Sequence, residues 1–307
     1  MIIVKFCGGL GNQMYQFAML IALQKKYPKQ EIKADISHYM LFEEHNGFEL
    51  SSYFGIKLNY ALYKEVKKVY SGLVPNRSYL FLPWKVRDFI VHQFQWKYNS
   101  ICAKLHPNVA KWTVTEHNWK ENKELLSSGD WYINGMWQNT EYFQEYQKDI
   151  ISAFNMNPKL SETDSEDVRI LKSGEVIAVH VRGGDFLNGK TFNLCGKKYY
   201  NKALSKFAEK KPLYIFTDDS AYAQELLCDY KIAGIVSHSI DESIKDMFMM
   251  SLAKNLVISN STFSFWSAFL NMNADKIICP RYATKNVEGY TNACFKSDWD
   301  IIDNLSE

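Results

Sequence analysis

The first 26 residues, MIIVKFCGGLGNQMYQFAMLIALQKK, indicate the fold class of this chain. Residues 2–6 form a short apolar and β-branched run, which is typical of a buried parallel strand. Glycines follow at once, and apolar residues then recur at helical spacing from Met14 to Ala22. A strand, a glycine turn and a helix, followed by a second apolar run at 32–35, predict a βαβ beginning.

The alternation of strands and helices continues along the chain. Short apolar runs that suit buried strands lie at 131–133, 176–181, 213–216, 235–236, 256–258 and 277–279. Helices are predicted at 139–154, 199–209, 221–227, 244–253 and 263–270. This α/β alternation predicts parallel sheets covered on both faces. The polar stretch PKLSETDSE, residues 158–166, is predicted to link two doubly wound domains, 1–157 and 158–307, that face a cleft.

Residues 61–111 differ from the rest of the chain in composition. They hold nine basic and two acidic residues, a local net charge of +7, together with nine aromatic residues. We predict that they form a helical insertion in the N-terminal half. Three roles stay open for it: an acceptor platform on which aromatic faces stack against sugar rings, a peripheral docking surface for an anionic membrane, and a solvated helical subdomain.

Charge and composition exclude several classes of protein. The chain has 36 Lys and Arg against 34 Asp and Glu, and a net charge of +2 provides no field that would hold nucleic acid. Hydrophobic residues at 47% exclude a disordered chain. The six cysteines lack the CxxC spacing of zinc or redox pairs, so we expect buried thiols in a reducing compartment. Since no leader-like segment or long apolar run is found, we expect a cytoplasmic protein.

Four segments follow predicted strands, at the sheet edge where ligands of open α/β sheets bind. The first is GGLGNQ, residues 8–13, where glycine allows close approach of a ligand and Asn12 is predicted to cap the helix. This segment matches neither the dinucleotide fingerprint nor the P-loop. The alternative is a tight strand–helix turn without a ligand.

The second segment is HVRGGD, residues 180–185. Alternation along the strand places His180 and Arg182 on one face, and Arg182 could clamp a diphosphate through paired N–H donors. Asp185 could orient Arg182 or bind a hydroxyl group. The alternative is a structural Arg–Asp pair beside a satisfied core histidine.

The third and fourth segments are FTDD, residues 216–219, and SNSTFSFW, residues 259–266. The two carboxylates of the third could bind magnesium, ribose hydroxyls or the N–H groups of a base, or could cap the following helix. The hydroxyl and amide groups of the fourth lie near the N–H donors of a predicted helix, which suits phosphate oxygens, although an ordinary cap is the alternative. No histidine has metal-ligand spacing, so no metal site is predicted.

Several motifs in order resemble those of one family, the bacterial α-1,2-fucosyltransferases of glycosyltransferase family 11. The motifs are GGLGNQMYQFA at 8–18, HNGFELSSYFGI at 45–56, GMWQNTEYF at 135–143, HVRGGDF at 180–186, FTDD at 216–219 and SNSTFSFWSAFLN at 259–271. The resemblance implies a GT-B-like fold of two Rossmann-type domains. It also implies inverting transfer of fucose from GDP-fucose to a galactose 2-hydroxyl of a glycan acceptor, with no metal or other cofactor.

The resemblance also implies roles for individual residues. Arg182 would hold the diphosphate and stabilise the departing GDP, and Asp185 is the second residue expected to be catalytic. The residues expected to bind the donor are Gly11, Asn12, Gln13, His180, Arg182, Asp218, Asp219, Asn260, Ser261, Thr262 and Phe263. The general base is left open among Asp185, Glu43, Glu44, His45 and Glu49.

One position departs from the family pattern. The family usually has two adjacent arginines before Gly-Asp, whereas this chain has Arg182 followed by Gly183. We therefore keep as alternatives a transferase that uses a different nucleotide sugar, a non-catalytic protein that binds a nucleotide or glycan, and a metal-dependent transferase that uses Asp218 and Asp219.

Overall fold

The computed structural model describes residues 1–40, 47–75, 77–90, 94–184, 193–283 and 298–305. Contacts between Cα atoms divide the chain into two compact units. The first comprises residues 1–138 and 142–153, and the second comprises residues 139–141 and 154–307. The domain boundary that we predict after residue 157 lies a few residues beyond the end of the first unit.

The first unit contains a parallel sheet of four described strands. These are β1 (Ile2–Lys5), β2 (Ile32–Asp35), β3 (Thr113–Val114) and β4 (Trp131–Ile133). Their spatial order is β2-β1-β4-β3. The predicted βαβ beginning is confirmed, because β1 and β2 pair in parallel and are joined through a helix, α1 (Leu10–Lys26). The apolar residues of β1 are buried, as expected for a strand inside a parallel sheet.

Most of the other described elements before residue 154 are short helices. They are α2 (Leu50–Phe54), α3 (Tyr63–Val69), α4 (Trp84–Phe89), α5 (Gln95–Leu105), α6 (Pro107–Ala110), α7 (Trp119–Asn122) and α8 (Gln147–Ala153). Single 3₁₀ turns span Ser37–Met40, Arg77–Phe81, Lys123–Ser127, Thr140–Tyr142 and Gln144–Tyr146. Most of the described residues of 61–111 are therefore helical.

The second unit contains a parallel sheet of six described strands in the order β10-β9-β8-β5-β6-β7. The strands are β5 (Ile177–Val181), β6 (Leu213–Thr217), β7 (Ile232–Val236), β8 (Asn255–Val257), β9 (Lys276–Pro280) and β10 (Asp300–Ile302). The helices are α9 (Glu162–Ser173), α10 (Lys197–Leu204), α11 (Ser220–Leu226), α12 (Ser243–Met250) and α13 (Thr262–Leu270). Both β5 and β6 are buried along their whole length, so they form the middle of the core. None of the described helices is long and apolar enough to cross a membrane.

Several sequence predictions are wrong in detail. The linker predicted at 158–166 runs into α9, because Ser161 caps this helix and forms a capping box with Asp164. The helix predicted at 139–154 is broken into 3₁₀ turns, and only residues 147–153 are α-helical. Two strands, β3 and β10, were not predicted, since runs of two and three residues are too short to show periodicity.

Candidate functional site

The carboxyl ends of β5 and β6 bring Arg182 and Asp218 together. The two strands are parallel and pair Val181 with Thr217. The residues that follow these two, Arg182 and Asp218, therefore lie side by side. Arg182 Nη1 lies 2.8 Å from Asp218 Oδ2, and about 30% of each side chain is exposed (29% and 30%). The other carboxylate oxygen of Asp218 accepts the backbone N–H of Gly183 at 2.8 Å. One carboxylate thus fixes both the guanidinium and the turn that follows it.

Asp218 therefore orients Arg182, and the orienting role that the sequence suggested for Asp185 stays a prediction. Sequence proximity favoured Asp185, whereas the strand register supplies a partner 36 residues further along the chain from Arg182. Asp185 lies outside the described residues, and its predicted catalytic role stays a prediction.

Gly183 has no room for a side chain. A Cβ atom at this position would lie 2.8 Å from the Cβ of Asp219 and 3.3 Å from Cδ1 of Tyr222. At Gly184, where φ is +39°, a Cβ would lie 2.7 Å from Asp218 Oδ2. The glycine that departs from the family pattern therefore lets the backbone pass close to the start of α11, and a side chain there would require one of the two to shift.

Asp219 caps α11. Its Oδ1 accepts the N–H of Tyr222 at 3.0 Å, and its own N–H donates to Thr217 Oγ1 at 3.0 Å. The two adjacent carboxylates therefore have different partners, one an arginine and the other a helix terminus. Within the described ranges, no group of three or more His, Cys, Asp or Glu residues could hold a metal ion.

His180 lies in the core rather than at the surface. It is 5% exposed, and its Nδ1 lies 2.8 Å from Ser259 Oγ at the end of β8. Burial, with the nearby charge of Arg182 as a second cause, lowers the pKa of His180 to about 3. The imidazole is therefore neutral at physiological pH. This arrangement corresponds to the alternative of a satisfied core histidine, and direct donor contact by His180 stays a prediction.

The segment after β8 forms the N-terminus of α13. Ser261 is the cap residue, and its Oγ accepts the N–H of Phe263 at 3.3 Å. Thr262 and Phe263 are half-buried in the first turn of the helix. Asn260 instead ties two backbone segments together, since its Nδ2 donates to Asn193 O at 2.6 Å and to Ala283 O at 2.8 Å. Its amide group thus has a structural role whether or not it also meets a ligand.

In the first unit, the predicted cap of α1 is wrong. Gly9 is the cap residue, and Asn12 lies inside the first turn. The sequence favoured Asn12 because asparagine is a common cap, whereas the glycine turn starts the helix earlier. The Oδ1 of Asn12 accepts a hydrogen bond from Gln138 Nε2 at 2.7 Å, which joins the first turn of α1 to the segment after β4. Gly11 is buried beside it.

Gln13 is fully buried and holds three backbone groups. Its Nε2 donates to Gly8 O at 3.0 Å and to Gly47 O at 2.8 Å, and its Oε1 accepts the N–H of Glu49 at 2.9 Å. Its side chain therefore joins the glycine turn to the segment before α2. Glu49, one of the candidate bases, is buried at 6% exposure, and the other candidates apart from Asp185, namely Glu43, Glu44 and His45, lie outside the described residues.

Sequence reasoning missed two residues of this edge. Gln16 is fully buried; its Oε1 accepts the N–H of Cys7 at 3.0 Å and its Nε2 donates to Gly135 O at 3.4 Å. Gln138 bonds Asn12 as described. The motif GMWQNTEYF contains Gln138, so the sequence marked this residue but did not identify Asn12 as its hydrogen-bond partner.

The predicted site residues thus form two clusters, each at the carboxyl ends of strands in its own unit. In the second unit the structure brings together Arg182, Asp218 and Asp219, with His180 and Ser261 near the end of β8. In the first unit it brings Asn12 and Gln13 beside the turn after β1.

A family comparison matches nearly the whole chain. The model of glycosyl transferase family 11 matches residues 1–303, and the chain belongs to this family. The resemblance drawn from the sequence motifs is confirmed.

Two curated relatives come from Escherichia coli. An alpha-1,2-colitosyltransferase is 27% identical over 282 residues, which cover 88% of this chain and 87% of that protein. The O-antigen biosynthesis glycosyltransferase WbnK is 25% identical over 287 residues, which cover 88% of this chain and 90% of that protein.

Solved structures of transferases are also similar. NodZ alpha-1,6-fucosyltransferase, co-crystallized with GDP, has a TM-score of 0.44 and 14% identity over 90% of this chain and 93% of its own. The ADP-heptose lps heptosyltransferase II of E. coli has a TM-score of 0.43 and 12% identity over 98% of this chain and 89% of its own.

Proposed function

We propose that this glycosyltransferase moves L-fucose from GDP-fucose to the 2-hydroxyl group of a galactose in an oligosaccharide or polysaccharide acceptor, with inversion at the sugar. Membership of family 11 over residues 1–303 supports the reaction class. The observation that carries the proposal is a partly exposed arginine held by a carboxylate at the carboxyl end of two parallel strands, where ligands of such sheets bind.

Arg182 acts on the donor diphosphate. As the bond to fucose breaks, negative charge develops on GDP, and a guanidinium already fixed in place stabilises that charge without reorganising. Asp218 fixes it from one side and the Gly183 N–H fixes Asp218, so the three groups form one rigid unit. The reaction balances simply: the acceptor oxygen forms the new bond, GDP leaves with the bonding pair, and the acceptor proton passes to a base.

The remaining donor contacts follow the family pattern. Asp218 and Asp219 would contact guanosine, while Ser261, Thr262 and the Phe263 N–H would hold phosphate oxygens at the start of α13, where the helix dipole favours negative charge. Gly11, Asn12 and Gln13 would serve the sugar end from the first unit. The proposal includes a GT-B-like arrangement, a cytoplasmic location and transfer without a metal ion.

A different donor sugar is the second candidate. The relative named an alpha-1,2-colitosyltransferase favours it, because colitose is fucose that lacks its 3-hydroxyl group. The linkage and the diphosphate chemistry would be unchanged, and only the sugar pocket would differ.

A product assay tests the proposal and separates the two donors. The enzyme is incubated with galactosides and either GDP-fucose or GDP-colitose, with excess EDTA, and the product linkage is determined by NMR. We expect an α-1,2-linked fucosyl product that EDTA does not suppress. Faster transfer of colitose would replace the donor assignment. GDP binding without product from any galactoside would favour a non-catalytic binding protein, and loss of activity in EDTA would favour the metal-dependent alternative.

A further inference from the structure

Large apolar side chains are exposed in one region of the first unit. Among the described residues, all the exposed large hydrophobic side chains except Leu125 and Met272 lie between residues 60 and 105. Phe81 is 89% exposed and Trp84 is 62% exposed, on either side of the start of α4. Such a concentration is unusual on a monomer and marks a surface that meets something apolar.

We propose that residues 77–90 and 94–105 form a docking surface for an anionic lipid membrane, in which α4 and α5 lie in the plane of the interface. We call these residues the docking segment. The inference is independent of the sugar donor and concerns where the enzyme works. It selects one of the three roles left open for residues 61–111, the peripheral docking surface for an anionic membrane.

The apolar side of α5 is continuous. Phe94, immediately before the helix, and Ile101 and Leu105 within it are spaced by seven and four residues, which places them on one side of a helix of 3.6 residues per turn. They are 44%, 56% and 68% exposed. The ring of Tyr98 extends the same side and lies 5.3 Å from the Phe94 ring.

The side of α5 that packs lies next to this apolar side. Cys102 is buried, and Asn99 Oδ1 accepts the N–H of Leu73 at 2.8 Å. The helix is therefore anchored by one side while its apolar side faces outward. This is the arrangement of an interfacial helix, in which aromatic and aliphatic side chains enter the boundary between headgroups and acyl chains.

Charge identifies the kind of membrane. The docking segment contains Arg77, Lys85, Arg87, Lys97 and Lys104, and its only acidic residue is Asp88. On α5, Lys97 and Lys104 are exposed and lie at the edge of the apolar stripe, on the side away from Cys102. Lysines in this position can keep their ammonium groups at the lipid headgroups while their stems lie along the apolar surface.

The same charges argue against other occupants. A second copy of the chain docked through this surface would bring two positive patches face to face, which like-charge repulsion disfavours. A neutral glycan could stack on the aromatic rings, but it would not require the lysines. An anionic lipid surface satisfies both the apolar side chains and the basic ones.

Vesicle flotation of the full chain tests the proposal. Purified protein is floated with phosphatidylcholine vesicles that either contain or lack phosphatidylglycerol, at low and high salt. We expect flotation with the anionic vesicles only, and less of it at high salt, because exposed charges are screened. Replacing Lys97 and Lys104 by Glu should weaken partitioning by at least about 25-fold, since each basic residue near the surface contributes about fivefold.

Matched variants separate insertion from simple adsorption. Trp84→Ser with Leu105→Ser should also abolish flotation, whereas Leu125→Ser with Met272→Ser, equally exposed elsewhere, should not. Lys120→Glu with Lys210→Glu, both exposed, is the charge control. No flotation with anionic vesicles at low salt, undiminished flotation of the Trp84 and Leu105 variant, or equal flotation with neutral vesicles would overturn the proposal. So would a concentration-dependent dimer that the apolar variant abolishes.

Discussion

The Arg182 guanidinium lies 2.8 Å from the Asp218 carboxylate, directly beyond the point where β5 and β6 pair Val181 with Thr217. The contact is set by strand register, so it exists before any ligand arrives. Because both side chains are about 30% exposed, solvent screens the pair and its contribution to folding is small. The pair instead holds a cation in place at the edge of the sheet. Its effects on stability and on activity can be measured separately.

Replacing Arg182 by Ala should remove activity and leave the fold intact. Loss of a preorganised group that stabilises transition-state charge typically costs about 100- to 1,000-fold in kcat, and we expect a decrease of that size. Steady-state kinetics with the best donor measure it, and circular dichroism checks the fold. Arg169→Ala is the matched control, because Arg169 is an arginine of the same unit whose side chain is 75% exposed. Near-normal turnover of the Arg182 variant would refute the diphosphate assignment.

Gly183→Ala should destabilise the protein. The new Cβ would lie 2.8 Å from the Asp219 Cβ, and overpacking of this kind typically costs about 1–3 kcal/mol. The family-like replacement Gly183→Arg carries the same Cβ and should cost at least as much in the free energy of unfolding. Chemical denaturation measures both. A Gly183→Arg variant with unchanged stability and higher turnover would show that the turn does have room for a side chain.

Gln13→Ala should be among the most damaging polar substitutions in the first unit. It would leave the buried N–H of Glu49 and the half-buried carbonyl group of Gly47 without their side-chain partner, while the Gly8 carbonyl would keep the Tyr39 hydroxyl. An unpaired buried group costs about 1–3 kcal/mol, so we expect a loss of at least about that size in unfolding free energy. Gln144→Ala, at an exposed glutamine, serves as the control and should change little. Equal stability of the two variants would contradict the bridging role.

His238 should make stability depend on pH. Its Nε2 lies 3.1 Å from Asp164 Oδ1, and its Nδ1 contacts the Asp246 carboxylate. These carboxylates raise the pKa of His238 despite the opposing effect of burial. Lys245 also faces the cluster, with its Nζ 3.5 Å from Asp164 Oδ2.

The sign follows from the direction of that shift. Because the pKa of His238 is higher in the folded state, its protonation stabilises the fold at pH values below the unfolded-state pKa of about 6.5. This stabilisation is lost as the pH rises through the folded-state pKa. His238→Gln should therefore lower Tm near pH 5 and lower it by less near pH 8. Differential scanning calorimetry at both pH values measures this. A Tm difference that is the same at both pH values, or larger at pH 8, would show that the charged imidazole does not stabilise the fold.

Part of the fold and part of the candidate site could be predicted from local sequence. The run at 2–6 followed by glycines predicted β1 and α1, and the polar residues after β5, β6 and β8 predicted where side chains would gather, because strand ends are marked by local composition. Ser261 and Asp219 cap their helices, which the sequence offered as alternatives.

Other features depend on contacts that local sequence does not contain. Asp218 lies against Arg182 because the register of a parallel pair of strands places it there, 36 residues further along the chain. Gln13 bonds Gly47, 34 residues further along the chain, and no periodicity in the sequence predicts such a contact. The start of α9 was missed because the polar residues around Ser161 are equally typical of a linker, although the capping box distinguishes the two.

The proposed function requires that the residues around Arg182 bind a guanosine diphosphate donor. Calorimetric titration of the full chain with GDP, with UDP as the control ligand and EDTA present, measures this binding. We expect binding of GDP alone, and at least tenfold weaker binding by the Arg182→Ala variant. Tight binding of UDP but not GDP, or equal binding of GDP by the variant, would contradict it.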